Sequence, residues 1–155
     1  MVFNQDEDFF KKEPKLARGV SIYLENSNGE FLMQLRTVSA TREPGKWTPI
    51  SGALEVLEDP EVTVVREVKE ELGVNLQKIR FFRDYFWISH DSQFTWYNHN
   101  FVFYALANLS LATTYHTEGQ KISYLPVPDI LKMDLAFNHK EDFRDLLAWL
   151  SSKPK

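Results

Sequence analysis

Glu67, Glu70 and Glu71 stand three and four residues apart in a segment that reads as a helix. At 100° per residue these positions fall within about 100° of arc, with Val65, Val68 and Leu72 on the opposite side. Like charges at this spacing repel by roughly 0.2–0.5 kcal/mol per pair even in water, so a helix that carries them needs an offsetting partner. A divalent cation is one such partner, and an acidic face kept in water is the plainer reading. The glutamates alone leave both open. The chain has no Cys, and His90, His99, His116 and His139 form no spaced ligand pair, reading instead as turn or surface residues. A metal held here would sit on hard oxygens, which suits Mg²⁺ or Mn²⁺.

The wider spacing separates the two readings. From Gly52 the chain runs five residues to Glu58, seven more to Arg66, and then Arg66-Glu67-Val68-Lys69-Glu70-Glu71-Leu72-Gly73-Val74. This matches G-x5-E-x7-R-E-U-x-E-E-x-G-U, with U aliphatic, at every defined position, a coincidence on the order of once per billion starting points at ordinary residue frequencies. The sequence resembles the Nudix hydrolases, in particular the MutT-like single-domain members. Outside this box the resemblance is a pattern of elements, from Val20 through the last helix.

The resemblance implies a site. The main-chain carbonyl of Ser51, with Glu67 and Glu71, would surround the cation, and Glu70 would join directly or through water. Arg66 would hold the carboxylates together. Glu58 would brace the loop, and Gly52 would give the backbone a tight path beside the phosphates. Outside the box, Arg36 at the end of the second strand would meet substrate phosphates. Trp47 would stack on a base or belong to the core, and Asn138 would read a base edge or cap the last helix. Glu118, in Thr117-Glu118-Gly119-Gln120, would supply a further carboxylate, and either it or Glu67 would take the proton from the attacking water. The segment Trp47-Thr48-Pro49-Ile50-Ser51-Gly52 departs from the commoner W-x-x-P-G-G by a shifted proline and by Ser51 in place of glycine. The reaction implied is divalent-metal-dependent hydrolysis of the diphosphate linkage in a nucleoside diphosphate joined to a group X. The alternative is a non-catalytic nucleotide-binding or regulatory domain, which more often carries a degenerate box. Isopentenyl diphosphate isomerases of this fold work with a cysteine, absent here. No Pro occurs between Val74 and Leu125, unlike the pattern of ADP-ribose hydrolases. Family members often form homodimers, and the sequence shows no interface.

Elements must carry these residues. Asp59 as N-cap, Pro60 at the first helical position, Glu61 in the first turn and Gly73 as the stop predict a helix from Asp59 to Gly73. Asn28-Gly29 predicts a hairpin between Ala17–Glu25 and Glu30–Arg36, followed by a loop over Thr37–Lys46. Lys78–Ile88 and Gln93–Ala107, apolar on both faces, predict two long strands covered on both sides, joined at Ser89–Ser92. Lys121–Leu125 reads as a short strand, Pro128–Lys132 as a brief helix, and Asn138–Leu150 as a helix with Phe143, Leu146, Leu147 and Leu150 inward. By the resemblance, these elements form an α/β fold, an α/β/α sandwich around a mixed β-sheet, with the box helix on one side and the last helix on the other.

At 155 residues, 43% hydrophobic, the chain suits a single domain over 1–155, with residues 1–15 as an N-terminal arm. A net charge of −4 gives no general affinity for nucleic acid. No apolar run approaches the roughly 20 residues of a membrane span, and the charged N-terminus is unlike a signal peptide, so a cytoplasmic location and no membrane partner are expected.

Overall fold

The computed structural model describes residues 12–111 and 121–152. Chain order is β1 (Glu13–Glu25), β2 (Phe31–Leu35), β3 (Trp47–Thr48), β4 (Ile50–Ala53), α1 (Pro60–Leu72), β5 (Arg80–His90), β6 (Phe94–Leu106), β7 (Lys121–Leu125), α2 (Val127–Lys132) and α3 (His139–Ser152). The seven strands form one mixed sheet in the order β3-β2-β1-β6-β5, with β4 also on β1 and β7 on β2. β1 and β6 are parallel along their whole length, from Glu13↔Phe94 to Glu25↔Leu106. β1 keeps only the pair Glu25↔Phe31 with β2, beside the turn, and from Gly19 to Ile22 takes β4 as its neighbour. The sheet therefore forks, and β4 carries Ser51 and Gly52 into the fork.

Alternation along β1 sorts the core into two layers. Val20, Ile22 and Leu24 pack with Val64, Val68 and Leu72 of α1. Tyr23, with Phe31 and Met33 of β2, packs with Phe143 and Leu146 of α3 and Ile130 of α2. The sandwich expected from the sequence is present, with α1 and α3 on opposite faces. The turn at Asn28-Gly29 forms as expected, with Gly29 at φ 75°, but the two strands pair only at Glu25↔Phe31 beside it, because β1 takes β4 and β2 takes β7 as neighbours beyond that point.

Three expectations need correction. Glu13–Lys15, assigned to the arm, are already strand, paired with Phe94–Trp96. β5 is an edge strand and is not covered on both sides: Phe86 is 76% exposed and Ile88 52%. On α1 the fully buried face is Val64, Val68 and Leu72, with Val65 only partly covered, and Glu71 turns inward with it at 1% exposure. The helix is rotated relative to the reading from three carboxylates on one side, because apolar contacts with the sheet set its orientation.

Phe143 is fully buried, its ring 5.6 Å from that of Tyr23 and edge-on to Phe31 at 5.1 Å. Replacing a buried Phe by Ala removes its transfer free energy and leaves a cavity. Phe143→Ala should therefore lose about 3–5 kcal/mol in urea unfolding; a loss below about 1 kcal/mol would show that α3 is not part of the cooperative core.

Candidate active site

The box helix is fixed at both ends. Asp59 Oδ1 accepts the Glu61 N–H at 2.8 Å, Pro60 occupies the first helical position, and Gly73 closes the helix in the left-handed region at φ 69°. Its carboxylates are thus borne on a rigid rod. Before it, Leu57 is held at φ 65°, a conformation that a side chain resists. That turn brings Glu58 back toward the helix, where its Oε2 also accepts the Glu55 N–H at 3.3 Å.

Arg66 gathers the carboxylates. Its Nε and Nη2 donate to the two oxygens of Glu58 at 2.9 and 3.0 Å, a bidentate pair, and Nη1 donates to Glu67 and Glu70, each at 3.1 Å. The hydrogen bonds from Arg66 hold the Glu58 carboxyl below the usual carboxylate range, and those to Glu58 push the guanidinium up. Both groups are charged at neutral pH.

Glu67 lies over Gly52. A Cβ built on Gly52 would overlap the Cγ and Cδ of Glu67, so the glycine is required here for close approach by a side chain, at a strand position paired with Val20. Glu71, one turn along, is buried, while the Glu70 side chain is 58% exposed. Ser51 precedes Gly52 in β4, opposite Ser21. Among the described residues no three acidic or histidine side chains are gathered as a closed metal cage. Even so, the oxygen donors of Glu67, Glu71 and the Ser51 carbonyl have the hard chemistry Mg²⁺ or Mn²⁺ takes, and the missing side chain at Gly52 makes the cradle for Glu67. The residues fit such a cation.

A recess of about 330 Å³ lies beside β4 and includes Ser51 and Gly52 in its lining. Arg36, at the end of the second strand, donates from Nε and Nη2 to the Arg42 carbonyl at 3.2 and 2.9 Å. Its guanidinium lies 5.2 Å from the centroid of Phe137. Arg42 lies 4.9 Å from the same centroid and 4.2 Å from that of Trp96, and donates to Asn98 Oδ1 at 3.1 Å. Burial and then the charge of Arg36 lower its pKa, against the pull of Asp91, without threatening its charge at neutral pH. Phe137 adopts φ 51°, a strained conformation that sets its ring beside both arginines.

Asn138 stands just before α3, where its carbonyl accepts the Asp142 N–H at 3.1 Å. Behind the recess, fully buried Asp142 accepts from the Tyr85 hydroxyl at 2.6 Å and from Arg83 Nη2 at 2.8 Å. Burial, then the Asp142 charge, push the Tyr85 phenol up, so it remains a donor at neutral pH.

The structure brings Ser51, Gly52, Glu58, Arg66, Glu67 and Glu70 into one neighbourhood and sets Arg36 in the adjoining recess. It does not bring Trp47 there. That ring packs with the α2–α3 layer, its carbonyl accepts the Ala136 N–H at 2.8 Å, and Lys121 Nζ is 5.4 Å from its centroid. Glu118 and His116 lie outside the described residues. His139, read as a surface or turn residue, is 4% exposed. Arg42, Tyr85, Arg83 and Asp142 were not singled out from the sequence. The side-chain bonds from Arg42 to Ser89 and Asn98, and from Arg83 and Tyr85 to Asp142 and Asp145, span 47 to 62 residues, and no local pattern marks them.

Residues 15–150 match the NUDIX domain family. A 60-residue segment is 38% identical to the Nudix hydrolase PA4841 of Pseudomonas aeruginosa, covering 38% of this chain and about a third (36%) of that protein. The fold is similar to that of the MutT protein from Methanosarcina mazei (TM-score 0.68, 20% identity, 91% of this chain and 98% of that one). It is also similar to the NUDIX domain of Shewanella oneidensis NrtR, solved with ADP ribose (0.66, 22%, 93% and 94%), and to a C. elegans Ap4A hydrolase (0.64, 20%, 89% and 98%). With the box complete and its carboxylates clamped on the helix, the chain belongs to the Nudix family.

Proposed function

We propose that this chain hydrolyses the diphosphate linkage of a nucleoside diphosphate derivative and depends on Mg²⁺ or Mn²⁺ to do so. The observation that carries the reading is Glu67 laid over Gly52, with Glu71 buried one turn along and Arg66 shared among Glu58, Glu67 and Glu70. Glu67, Glu71 and the Ser51 carbonyl would hold the cation, with Glu70 directly or through water. When bound, the cation supplies charge neutralisation to the phosphates and acidifies water. Arg66 and Glu58 keep Glu67 oriented while that charge is being shared. Arg36 and Arg42 offer donors to phosphate oxygens in the recess that adjoins Ser51. A carboxylate, Glu67 or Glu118, accepts the proton of the attacking water as the new P–O bond forms and the bridging P–O bond breaks.

A screen of (d)NTPs, nucleotide sugars, dinucleoside polyphosphates and CoA with each metal identifies the substrate. On it, Glu71→Gln should lower kcat by about 10²-fold or more while the protein stays folded. Full activity in excess EDTA, or an unimpaired Glu71→Gln, contradicts the proposal. Glu118→Gln separates the two bases: a fall of roughly 10²-fold in kcat with KM little changed assigns the proton to Glu118, and rates within a few-fold of wild type assign it to Glu67.

A further inference from the structure

His139 opens α3 and lines the recess, its ring edge-on to Phe137 at 5.9 Å, and is almost wholly buried. Its backbone is anchored from the sheet, where the Tyr23 hydroxyl donates to its carbonyl at 3.0 Å. Its Nδ1 is buried without a hydrogen bond, and the nearest acid is Asp142, Oδ2 at 3.6 Å, just beyond hydrogen-bonding reach. A buried polar atom left in this state is unfavourable, and a native protein keeps one for a reason. Asp142 cannot readily move away, because Tyr85 and Arg83 hold its two oxygens.

The two ring nitrogens of a neutral histidine are coupled, since one donates only when the other accepts. With Nδ1 3.6 Å from a fixed carboxylate, the tautomer that suits the site carries its proton on Nδ1 and leaves Nε2 as an acceptor on a residue that lines the recess. The neighbouring groups complement it. Arg36 and Arg42 can only donate, which suits phosphate oxygens, and Asn98 is engaged by Arg42 through Oδ1 and by Trp87 O, Ser89 and Trp96 O through Nδ2.

We infer that His139 is a specificity-determining residue: its Nε2 accepts a hydrogen bond from the exocyclic amino group of the purine that a nucleotide places in this recess, and that bond draws Nδ1–H onto Asp142. The ligand then completes a chain from the purine amino group to Nε2 and from Nδ1–H to Asp142 Oδ2, which gives the buried Nδ1 a role. The inference rests on the proposed nucleotide site and adds the edge of the ring that is read there.

The test compares nucleotides that differ by one exocyclic amino group, adenosine against purine riboside 5′-monophosphate and guanosine against inosine 5′-monophosphate, titrated calorimetrically into the full chain without metal. In the wild type, the amino-bearing member of at least one pair should bind about tenfold more tightly, the scale of a lost neutral hydrogen bond. His139→Phe, which keeps a planar ring without nitrogen, should abolish that preference, and His139→Gln, which keeps an acceptor, should restore part of it. Nitrogen-15 NMR of the wild type needs no folded variant: on binding, the His139 signals should become those of an Nδ1–H tautomer with Nε2 accepting. Equal affinities within both pairs, a preference unchanged in His139→Phe, or a His139 that keeps its proton on Nε2 when nucleotide is bound overturns the inference. If diphosphate hydrolysis is found while any of these holds, the inference alone fails. If no nucleotide binds or is hydrolysed, the proposed function fails with it.

Discussion

The placement of Glu67 against a strand position that has no side chain constrains much of what surrounds it. Carboxylates crowded on one helix repel, and here one guanidinium is shared among Glu58, Glu67 and Glu70. For Arg66 to reach Glu58, the loop before the helix must turn back through a strained Leu57. For Glu67 to lie over β4, residue 52 must be glycine, and β4 must enter the fork that opens where β1 parts from β2. Each condition is local, and together they tie the sheet topology to the position of one carboxylate.

Most of this local framework was legible in the sequence because it rests on short-range chemistry. Asp59, Pro60 and Gly73 mark the ends of α1 by capping and backbone conformation, and both ends fall where those residues predict. Gly29 does the same for the first turn. The box spacing identified the carboxylate cluster and Arg66 without any knowledge of the sheet. The helix's rotation was not legible: periodicity alone placed Val65 inward and Glu71 outward, whereas packing on Val20, Ile22 and Leu24 selects Val64 and draws Glu71 into the interior. Trp47 illustrates the same limit, since a flat ring serves a core as well as a base, and its packing on the α2–α3 layer depends on contacts that no sequence window contains.

The recess on the opposite face from α1 depends on contacts that no sequence window contains. Alternation places Gly19, Asn98, Asn100, Tyr85 and Trp87 on one side of the sheet, where they line the recess with Phe137 and His139 from the start of α3. Phe137 holds a left-handed conformation to present its ring, and two arginines that would repel are accommodated by aromatic faces and by the Arg42 carbonyl. β4 joins the two regions: Gly52 receives Glu67, and Ser51 belongs to the recess wall.

Gly52→Ala tests the central claim most directly, because the added methyl overlaps only the flexible Glu67 side chain among its nearest neighbours and so displaces the carboxylate without emptying the core. Mn²⁺ binding to wild type and variant can be followed by the electron paramagnetic resonance signal of the free ion, with thermal unfolding as the control for folding. A cation seated beside Glu67 and Gly52 predicts affinity weakened by about 10-fold or more in a folded variant. An unchanged Mn²⁺ affinity in a folded Gly52→Ala protein would contradict it.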